Sequence, residues 1–439
     1  MPYLLNLVYA LLLIVASPWL AWQAYRTGKY RSGWQAKLWG RVPERTSDRF
    51  CVWLHAVSVG EVNLLKTLMD EIGRQRPEWE CVISTTTVTG YALAKQKYPD
   101  RHVFYAPLDF TWAVEETLDR IRPNMLVLAE LELWPNLISA AQLRGIPVAV
   151  ANGRLSERSF RGYSRLKRLL IPVMRKLDLV AAQNPEYAER FLDLGAGIDT
   201  VHVTGSIKYD GARTNRQNAD TQRLAKLIQL SADEKVFLAG STQAPEESLA
   251  IEAYRKLSKS HPELRLIIVP RHAERFVEVA GILERCGMPF ERRSRLDHIP
   301  HNTQARILLV DAIGELGSWW GTADAAFVGG SLSTRGGQNM LEPAAYGAAV
   351  SFGTDTRNFR DIVQGLLAAD AAVVVKDGAE LTGFVARCLE EPGFAAGLGR
   401  RARVLVAAGQ GATARTVNLL VGLIDGEVET TPARERRAA

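Results

Sequence analysis

The stretch Trp53-Leu54-His55-Ala56-Val57-Ser58-Val59-Gly60-Glu61 has the pattern of a buried strand end, a turn at Gly60 and a helix start. The same rhythm of a short apolar run and a longer helical pattern recurs along the chain. Strands are predicted at 50–54, 81–86, 103–106, 125–129, 148–151 and 179–182, then at 236–239, 264–269, 307–310, 325–328, 349–352 and 372–375. Alternating strands and helices form parallel sheets. The sequence therefore predicts an α/β protein of two doubly wound, Rossmann-like domains.

A polar stretch divides the two sets of strands. Residues 210–221 contain little that a core could bury, so they are predicted to form the interdomain linker. The predicted parts are a membrane anchor at 1–25, an N-terminal domain at 26–212, a C-terminal domain at 213–425 and a disordered tail at 426–439. Ligands of open parallel sheets bind outside the carboxyl ends of the strands. The loops after the strands, facing a cleft between the domains, are therefore the predicted site.

Composition and missing motifs exclude several classes of protein. The chain has 439 residues, and 54 Lys and Arg against 48 Asp and Glu give a net charge of +6, which favours anionic partners. The four cysteines show neither metal-ligand spacing nor a secreted disulfide framework, which fits a reducing cytoplasm. No G-x-G-x-x-G, Walker A or Asp-x-Asp sequence occurs, which argues against NAD, FAD and metal-dependent transferase chemistry. No nucleic-acid partner is predicted.

The N-terminus has the pattern of a membrane anchor. Residues 4–22 form an apolar run interrupted only by Asn6, Ser17 and Pro18, and roughly 20 apolar residues are needed to cross a bilayer. Basic residues follow, which by the positive-inside rule predicts a single-pass anchor with the body on the cytoplasmic side: Arg26, Lys29, Arg31 and Lys37. A helix that lies along the membrane or packs on protein is the open alternative.

Two charged residues directly follow predicted strands. Glu61 comes after the strand at 50–54, where its carboxylate either performs chemistry or only favours a helix start. Arg271 comes after the strand at 264–269, where its guanidinium either binds a phosphate or forms a surface ion pair. The residues alone leave both alternatives open.

A glycine-rich segment in the second half has the pattern of an anion site. Residues 327–332 are predicted to be a strand and a loop, and residues 335–343 lead into a helix. The backbone N–H groups of such a loop and of a helix start can bind phosphate. Glu342 in the first helical turn either binds ribose hydroxyls or caps the helix. Residues 311–316 follow another strand and could present backbone groups to a nucleobase.

Residues 158–175 form a basic amphipathic segment. Arginines fall on one side of a helical wheel and apolar residues on another, which favours binding to anionic lipid, either the bilayer surface or acceptor phosphates. An ordinary solvated arginine face is the alternative. The arginines are Arg158, Arg161, Arg165, Arg168 and Arg175.

Six segments resemble, in order, those of the 3-deoxy-D-manno-octulosonic acid (Kdo) transferases. The resemblance spans nearly the whole chain, and the set of ordered motifs is far more specific than any single one. The segments are HAVSVGE at 55–61, ELELWPN at 130–136, GSIKYD at 205–210, VPRH at 269–272, GEL at 314–316, and FVGGSL at 327–332 with NMLE at 339–342.

This resemblance implies a GT-B fold and inverting transfer of Kdo from CMP-Kdo to the lipid A precursor (lipid IVA) in lipopolysaccharide biosynthesis at the cell inner membrane. It implies an acceptor-binding first domain and a CMP-sugar-binding second domain. No metal or cofactor is predicted, because the motifs that would bind one are missing. Glu61 matches the general base, and Glu130 and Lys208 match residues that support the transition state; Glu132 is not firmly separated from Glu130. The donor-binding positions implied are Pro270, Arg271, Ile313, Gly314, Glu315, Asn339, Met340, Leu341 and Glu342.

The chain departs from the family pattern at Gln243, where the family usually carries histidine. Glutamine still donates and accepts hydrogen bonds but cannot carry a positive charge, which puts a charged role there in doubt. Two alternatives remain beside the transferase, namely an enzyme that uses a UDP-sugar and a membrane-tethered sugar-nucleotide sensor without turnover.

Overall fold

The computed structural model describes residues 2–27, 32–298, 301–302 and 304–426, which form two compact units. The first unit is Met1–Gly211 with Gln410–Ala439, and the second is Ala212–Gly409. Lys29, Arg31 and residues 427–439 of the predicted tail lie outside the described residues.

A parallel seven-stranded sheet forms the centre of the described part of the first unit. Its strands are β1 Cys51–His55, β2 Glu80–Thr85, β3 Val103–Tyr105, β4 Met125–Ala129, β5 Val148–Gly153, β6 Leu179–Ala182 and β7 Val201–Val203. They lie in the order β3-β2-β1-β4-β5-β6-β7, so the winding direction reverses between β1 and β4. Ligands of open α/β sheets bind at such a switch point.

Helices cover both faces of this sheet. Trp53 packs into the core on one face, while its neighbours Val52 and Leu54 pack into the core on the other, as strand alternation requires. The helices described up to the end of β7 are α1 Pro2–Thr27, α2 Trp34–Trp39, α3 Val59–Gln75, α4 Val88–Lys97, α5 Thr111–Ile121, α6 Pro135–Leu143, α7 Glu157–Arg165, α8 Lys167–Met174 and α9 Pro185–Asp193.

The second unit repeats this design. Its described strands are β8 Lys235–Thr242, β9 Leu264–Pro270, β10 Phe290–Arg292, β11 Ile307–Leu309, β12 Ala325–Val328, β13 Ala349–Phe352 and β14 Ala372–Val374. They form a parallel sheet in the order β10-β11-β9-β8-β12-β13-β14, with its switch point between β8 and β12. The remaining described helices are α10 Ala219–Leu227, α11 Glu246–Leu257, α12 Phe276–Arg285, α13 Leu316–Trp319, α14 Leu341–Ala345, α15 Arg360–Ala368, α16 Gly378–Glu390, α17 Pro392–Gly409 and α18 Ala412–Asp425.

The prediction of two doubly wound α/β domains is confirmed, and the structure adds two strands that were not predicted. These are β7 and β10, three residues each, at the edge of one sheet and of the other. Each contains polar residues, His202 in β7 and Glu291 and Arg292 in β10. Such short, polar edge strands lack the apolar run on which the prediction depends.

The last helix differs from the predicted domain boundary. The predicted second domain extends to residue 425, but α18 packs in the first unit, where Val417 and Leu420 join the core beneath α3. The Asp210 carboxylate accepts hydrogen bonds from the backbone N–H groups of Gly411 at 2.5 Å and Thr413 at 2.6 Å. The chain therefore returns to the first unit, a long-range contact that local patterns do not reveal.

Candidate active site

Glu61 lies in the first turn of α3, directly after β1, as predicted. Ser58 caps the helix by accepting a hydrogen bond from the Glu61 backbone N–H at 3.4 Å. The Glu61 carboxylate accepts hydrogen bonds from the Ser58 hydroxyl and from the backbone N–H of Val57, both at 2.7 Å. This reciprocal arrangement is a capping box. Burial is the main cause that raises the pKa of Glu61 above its usual range, and the nearby charge of Glu130 adds to it.

Glu130 follows β4, the strand next to β1 across the switch point. Its φ of 60° lies in the left-handed region, which is rare for a residue with a side chain and marks a geometry that the surroundings impose. Its backbone N–H donates to the carbonyl of Ala151 at 2.9 Å. Its carboxylate is 3.0 Å from Lys208 Nζ. The structure thus pairs two of the three predicted catalytic residues.

Asn152 positions the segment that carries Lys208. It follows the first four residues of β5 with a φ of 57°, and its side-chain oxygen accepts a hydrogen bond from the backbone N–H of Ile207 at 3.0 Å. Lys208 lies in the 3₁₀ turn Ile207–Tyr209. Asn152 is not predictable from the sequence, since an isolated asparagine in an apolar run gives no signal of its role.

Glu132 stands out electrostatically in the same loop. Its pKa is raised from 4.5 to about 7, chiefly by burial and in addition by the negative charges of Glu61 and Glu130. Among the residues that the structure describes, none forms a hydrogen bond with its carboxylate. Glu132 is therefore a free carboxyl group that titrates near neutral pH, a property typical of acid–base residues.

His55, at the end of β1, is neutral and held in place. Its Nδ1 lies 2.8 Å from the Ser84 hydroxyl, which also accepts a hydrogen bond from Trp53 Nε1 at 2.7 Å. Burial lowers the pKa of His55 to about 4. Its ring meets Trp134 edge-on at 6.0 Å between centroids, which connects the end of β1 to the loop of Glu130 and Glu132.

Arg271 follows β9 in the second unit. Its backbone N–H donates to the carbonyl of Thr242 at 3.0 Å, while its side chain is exposed. Within the described residues no carboxylate pairs with this guanidinium, whereas Arg275 nearby is ion-paired with Glu247 and Glu278. The surface ion pair that was the alternative for Arg271 is absent there, so the group is available for an anion.

The glycine-rich loop after β12 differs from the predicted phosphate site. The buried carboxylate of Glu246 accepts hydrogen bonds from the backbone N–H groups of Gly330 at 2.7 Å, Ser331 at 3.0 Å and Leu332 at 3.0 Å. The backbone N–H of Gln243 donates to the same carboxylate at 2.9 Å. The chain's own anion thus occupies the loop, and the role of Glu246 was missed because only the fold brings β8 beside β12.

The carboxylate of Glu342 accepts a hydrogen bond from the side chain of Asn339 at 3.0 Å. Burial raises the pKa of Glu342, and the charge of Arg271 opposes that shift, which places the two side chains within electrostatic reach. Met340 and Leu341 are buried in the core. Of the predicted donor-binding run 339–342, only Asn339 and Glu342 offer side chains to a ligand.

The loop after β11 carries the predicted donor-binding positions 313–315. Ile313 is exposed, and Gly314 has a φ of 90°, a conformation that favours glycine. The Glu315 carboxylate binds the Arg293 guanidinium through two hydrogen bonds of 2.9 and 2.8 Å. That bidentate ion pair anchors the loop.

The basic segment is not one helix. It is interrupted at Leu166, where α7 has ended at Arg165 and α8 begins at Lys167. Leu166 and Leu169 are 53% and 55% exposed, and the predicted arginines are all exposed as well. The segment is therefore an exposed surface of mixed basic and apolar character, here named the α7–α8 surface.

Among the described residues, no group of three or more His, Cys, Asp and Glu side chains is arranged to hold a metal ion.

Comparison with known proteins gives the family. The sequence model described as 3-deoxy-D-manno-octulosonic-acid transferase (kdotransferase) matches residues 29–211. The chain is 35% identical over 334 residues to a 3-deoxy-D-manno-octulosonic acid transferase of Haemophilus influenzae, covering 75% of this chain and 76% of that protein. It is 32% identical over 429 residues to a protein of the same description in Bordetella pertussis, covering 94% of this chain and 98% of that protein.

The fold has solved counterparts. The UDP-GlcNAc 2-epimerase from Neisseria meningitidis, bound to UDP-GlcNAc, matches with a TM-score of 0.56 and 13% identity, covering 85% of this chain and 100% of that one. At that identity the likeness shows the fold alone, which is of the GT-B type. The family matches identify a glycosyltransferase. The chain belongs to the Kdo transferase family, whose members transfer Kdo in lipopolysaccharide biosynthesis.

Proposed function

We propose that the chain transfers Kdo, with inversion and without a metal ion, from CMP-Kdo to the lipid A precursor. The observation that carries this is a group of four charged residues in the first unit: Glu61 at the start of α3, Glu130 and Glu132 in the loop after β4, and Lys208 in a 3₁₀ turn. Lys208 pairs with Glu130, and the charges of Glu61 and Glu130 act on Glu132. Inverting transfer needs a base for the acceptor hydroxyl and fixed positive charge for developing anions. This cluster supplies both kinds of group.

The proposed steps use the chain's own residues. The acceptor oxygen forms a bond to the anomeric carbon of Kdo, its proton passes to a carboxylate, assigned to Glu61, and the bond from that carbon to the CMP phosphate breaks. Lys208 and Glu130 act as a fixed ion pair that supports the transition state. Arg271 and the segments around residues 313–315 and 339–342 bind CMP and balance the charge of the leaving phosphate.

Product analysis tests this proposal against the UDP-sugar alternative. Purified enzyme is incubated with CMP-Kdo and lipid IVA, and the lipid product is identified by mass spectrometry, with CMP and UDP compared as competitors. We expect one or more Kdo additions and inhibition by CMP. Inhibition by UDP alone, or CMP binding without a product, would favour the UDP-sugar enzyme or the sensor.

The chain is also proposed to act at the cytoplasmic face of the inner membrane. In the described chain two helical stretches are long and apolar enough to cross a membrane, Tyr3–Gln23 and Pro392–Asp425. The second contributes Leu398 and Leu420 to the protein cores, whereas α1 exposes a broad apolar face. Exposed apolar surface of that size is typical of membrane contact.

The contacts of α1 favour the in-plane alternative over the single-pass anchor. Asn6, near the start of α1, hydrogen-bonds Thr111 in the body of the first unit, which supports a helix whose first half packs on that unit. A cysteine at position 3 distinguishes the two, because a membrane-impermeant thiol reagent applied to spheroplasts labels it only if α1 spans the bilayer. We expect labelling only after permeabilisation.

The α7–α8 surface is proposed as a second membrane contact. Arg161→Glu with Arg165→Glu should weaken binding to anionic vesicles and use of the lipid acceptor while CMP affinity stays unchanged. Lys259→Glu with Arg285→Glu is the matched control, since it makes the same charge change at exposed side chains of the second unit. Equal loss in both variants would show a net-charge effect only.

A further inference from the structure

The helix α1 is part of the folded first unit. The Asn6 side chain donates to the Thr111 hydroxyl at 2.7 Å and accepts from the Thr111 backbone N–H at 3.1 Å. One turn later, the Tyr9 hydroxyl donates to the Asp109 carboxylate at 3.1 Å. Asn6 is only 8% exposed. An asparagine and a tyrosine in an otherwise apolar helix therefore serve to seat it on the protein.

Asp109 connects α1 to the loop of the candidate active site. Its carboxylate also accepts hydrogen bonds from the backbone N–H groups of Asn136 at 3.0 Å and Leu137 at 2.9 Å, at the start of α6. That helix begins directly after the loop that carries Glu130 and Glu132. The three hydrogen-bond donors occupy both Asp109 oxygens, so this buried carboxylate needs no further partner.

A pocket of about 410 Å³ lies between α1 and the body of the first unit. Its apolar wall consists of Leu12, Leu13 and Ala16 from α1 and of Leu108, Phe110 and Trp134 from the body; we name it the α1 pocket. Sites of roughly 300 to 1,000 Å³ hold small molecules or parts of larger ones. Its wall offers few polar groups, which favours a hydrocarbon ligand.

Two features of the surroundings of the α1 pocket favour a lipid chain as the hydrocarbon ligand. First, Trp134 lies two residues after Glu132 and contacts His55 at the end of β1, so the pocket adjoins the site where the acceptor reacts. Second, the outer face of α1 is strongly exposed and apolar, with Val15 77% exposed, so the pocket opens beside a surface suited to lipid. A lipid chain can enter from the membrane while its sugar head reaches the carboxylates.

We propose that the α1 pocket receives an acyl chain of the lipid acceptor and so selects acylated over deacylated acceptors. The inference rests on the proposed function, since it names a part of the acceptor that the same site would use. It makes α1 a component of the acceptor site as well as a membrane contact.

The test places a large side chain in the α1 pocket by substituting a residue of α1 that lines it. Ala16→Trp places an indole inside it, and Val15→Trp places the same group on the exposed outer face as the matched control. Kinetics are measured with lipid IVA and with its fully deacylated sugar phosphate. We expect Ala16→Trp to raise KM for lipid IVA at least about tenfold, as loss of apolar pocket contacts does, with no change for the deacylated acceptor. Val15→Trp changes the lipid-facing side of α1 but leaves the pocket open, so it should raise KM for lipid IVA far less than Ala16→Trp does.

A second variant keeps the test decisive if Ala16→Trp does not fold. Leu13→Ala enlarges the pocket and should shift the preference of the enzyme toward acceptors with longer acyl chains, an effect that general destabilisation does not produce. Equal effects on acylated and deacylated acceptors, or an unchanged chain-length preference, would overturn the proposal. Failure of the proposed function looks different, because the wild type would then transfer Kdo to neither acceptor.

Discussion

Lys208 Nζ lies 3.0 Å from a carboxylate oxygen of Glu130, although 78 residues separate them in the chain. Each side chain is partly exposed, at 35% for Lys208 and 24% for Glu130. A pair so accessible adds little to stability, and we propose that its value lies in the fixed charges that it offers to a ligand.

We predict that Lys208→Met lowers turnover by about 10²- to 10³-fold, the usual effect of removing a donor that stabilises the transition state. Glu130→Gln should also lower turnover, and the double variant should lose less than the product of the two, because the residues act as one unit. Turnover and CMP affinity are measured for all three. Lys66→Met, which breaks the exposed Lys66–Asp70 pair on α3, is the control and should change neither.

The variant Glu61→Gln distinguishes the two possible roles of Glu61, general base and helix cap. Glutamine keeps the capping box with Ser58 but cannot accept a proton, so turnover should fall at least about 100-fold while CMP affinity and the melting temperature hardly change. Ser58→Ala is the complementary control, since it removes the cap at a cost of about 1 kcal/mol and should retain most turnover. The reverse ranking of the two variants would leave Glu61 only a structural role.

Glu132 should impose a pH dependence with a midpoint near 7, the pKa to which burial and the neighbouring charges of Glu61 and Glu130 raise it. If its ionised form takes part in proton transfer, kcat/KM rises as the pH passes through that value, and Glu132→Gln abolishes the rise. A profile of kcat/KM from pH 5 to 9 for both proteins measures this. An unchanged rise in the variant would assign the transition to another group.

The Glu132 carboxyl should also make the free energy of unfolding decrease as the pH rises. Its pKa is raised from 4.5 to about 7 in the folded protein, so the stability it contributes is fully present below pH 4.5 and is lost as the pH rises through 7. Glu132→Gln should therefore flatten the decline in the free energy of unfolding over that window. Denaturant titrations at pH 5 and pH 8 compare the two proteins.

Arg271→Ala should weaken donor binding and turnover together, by roughly 2 to 4 kcal/mol in transition-state stabilisation. Arg275→Ala serves as control, because that guanidinium is committed to Glu247 and Glu278 and should matter for stability more than for CMP. EDTA should leave turnover unchanged. Loss of activity with EDTA and its recovery with Mg²⁺ would refute metal-free departure of the phosphate.

Glu246→Gln should loosen the glycine-rich loop. An amide oxygen can replace only one of the two carboxylate oxygens that bind the N–H groups of Gly330, Ser331 and Leu332, and a buried donor left without a partner costs about 1 to 3 kcal/mol. Unfolding experiments and CMP affinity report the loss. Glu252→Gln on the exposed side of the same helix should alter neither by a comparable amount.

The sequence alone determined the fold class and most of the candidate residues. The strands and helices are encoded in apolar runs and periodicities a few residues long, so both Rossmann-like domains could be predicted, apart from the short polar edge strands β7 and β10. Glu61, Glu130 and Arg271 were found because they follow predicted strands or match family motifs. Their chemical roles stay predictions.

Only the tertiary structure decided which of these residues meet. It pairs Lys208 with Glu130, fills the glycine-rich loop with Glu246, returns α18 to the first unit and seats α1 on Asp109 and Thr111. Each contact joins residues that are far apart in the sequence, from 78 residues for Lys208 and Glu130 to 201 residues for Asp210 and Gly411. Local periodicity carries no information about such pairs, because the order of the strands and the packing of the helices against them set the distances.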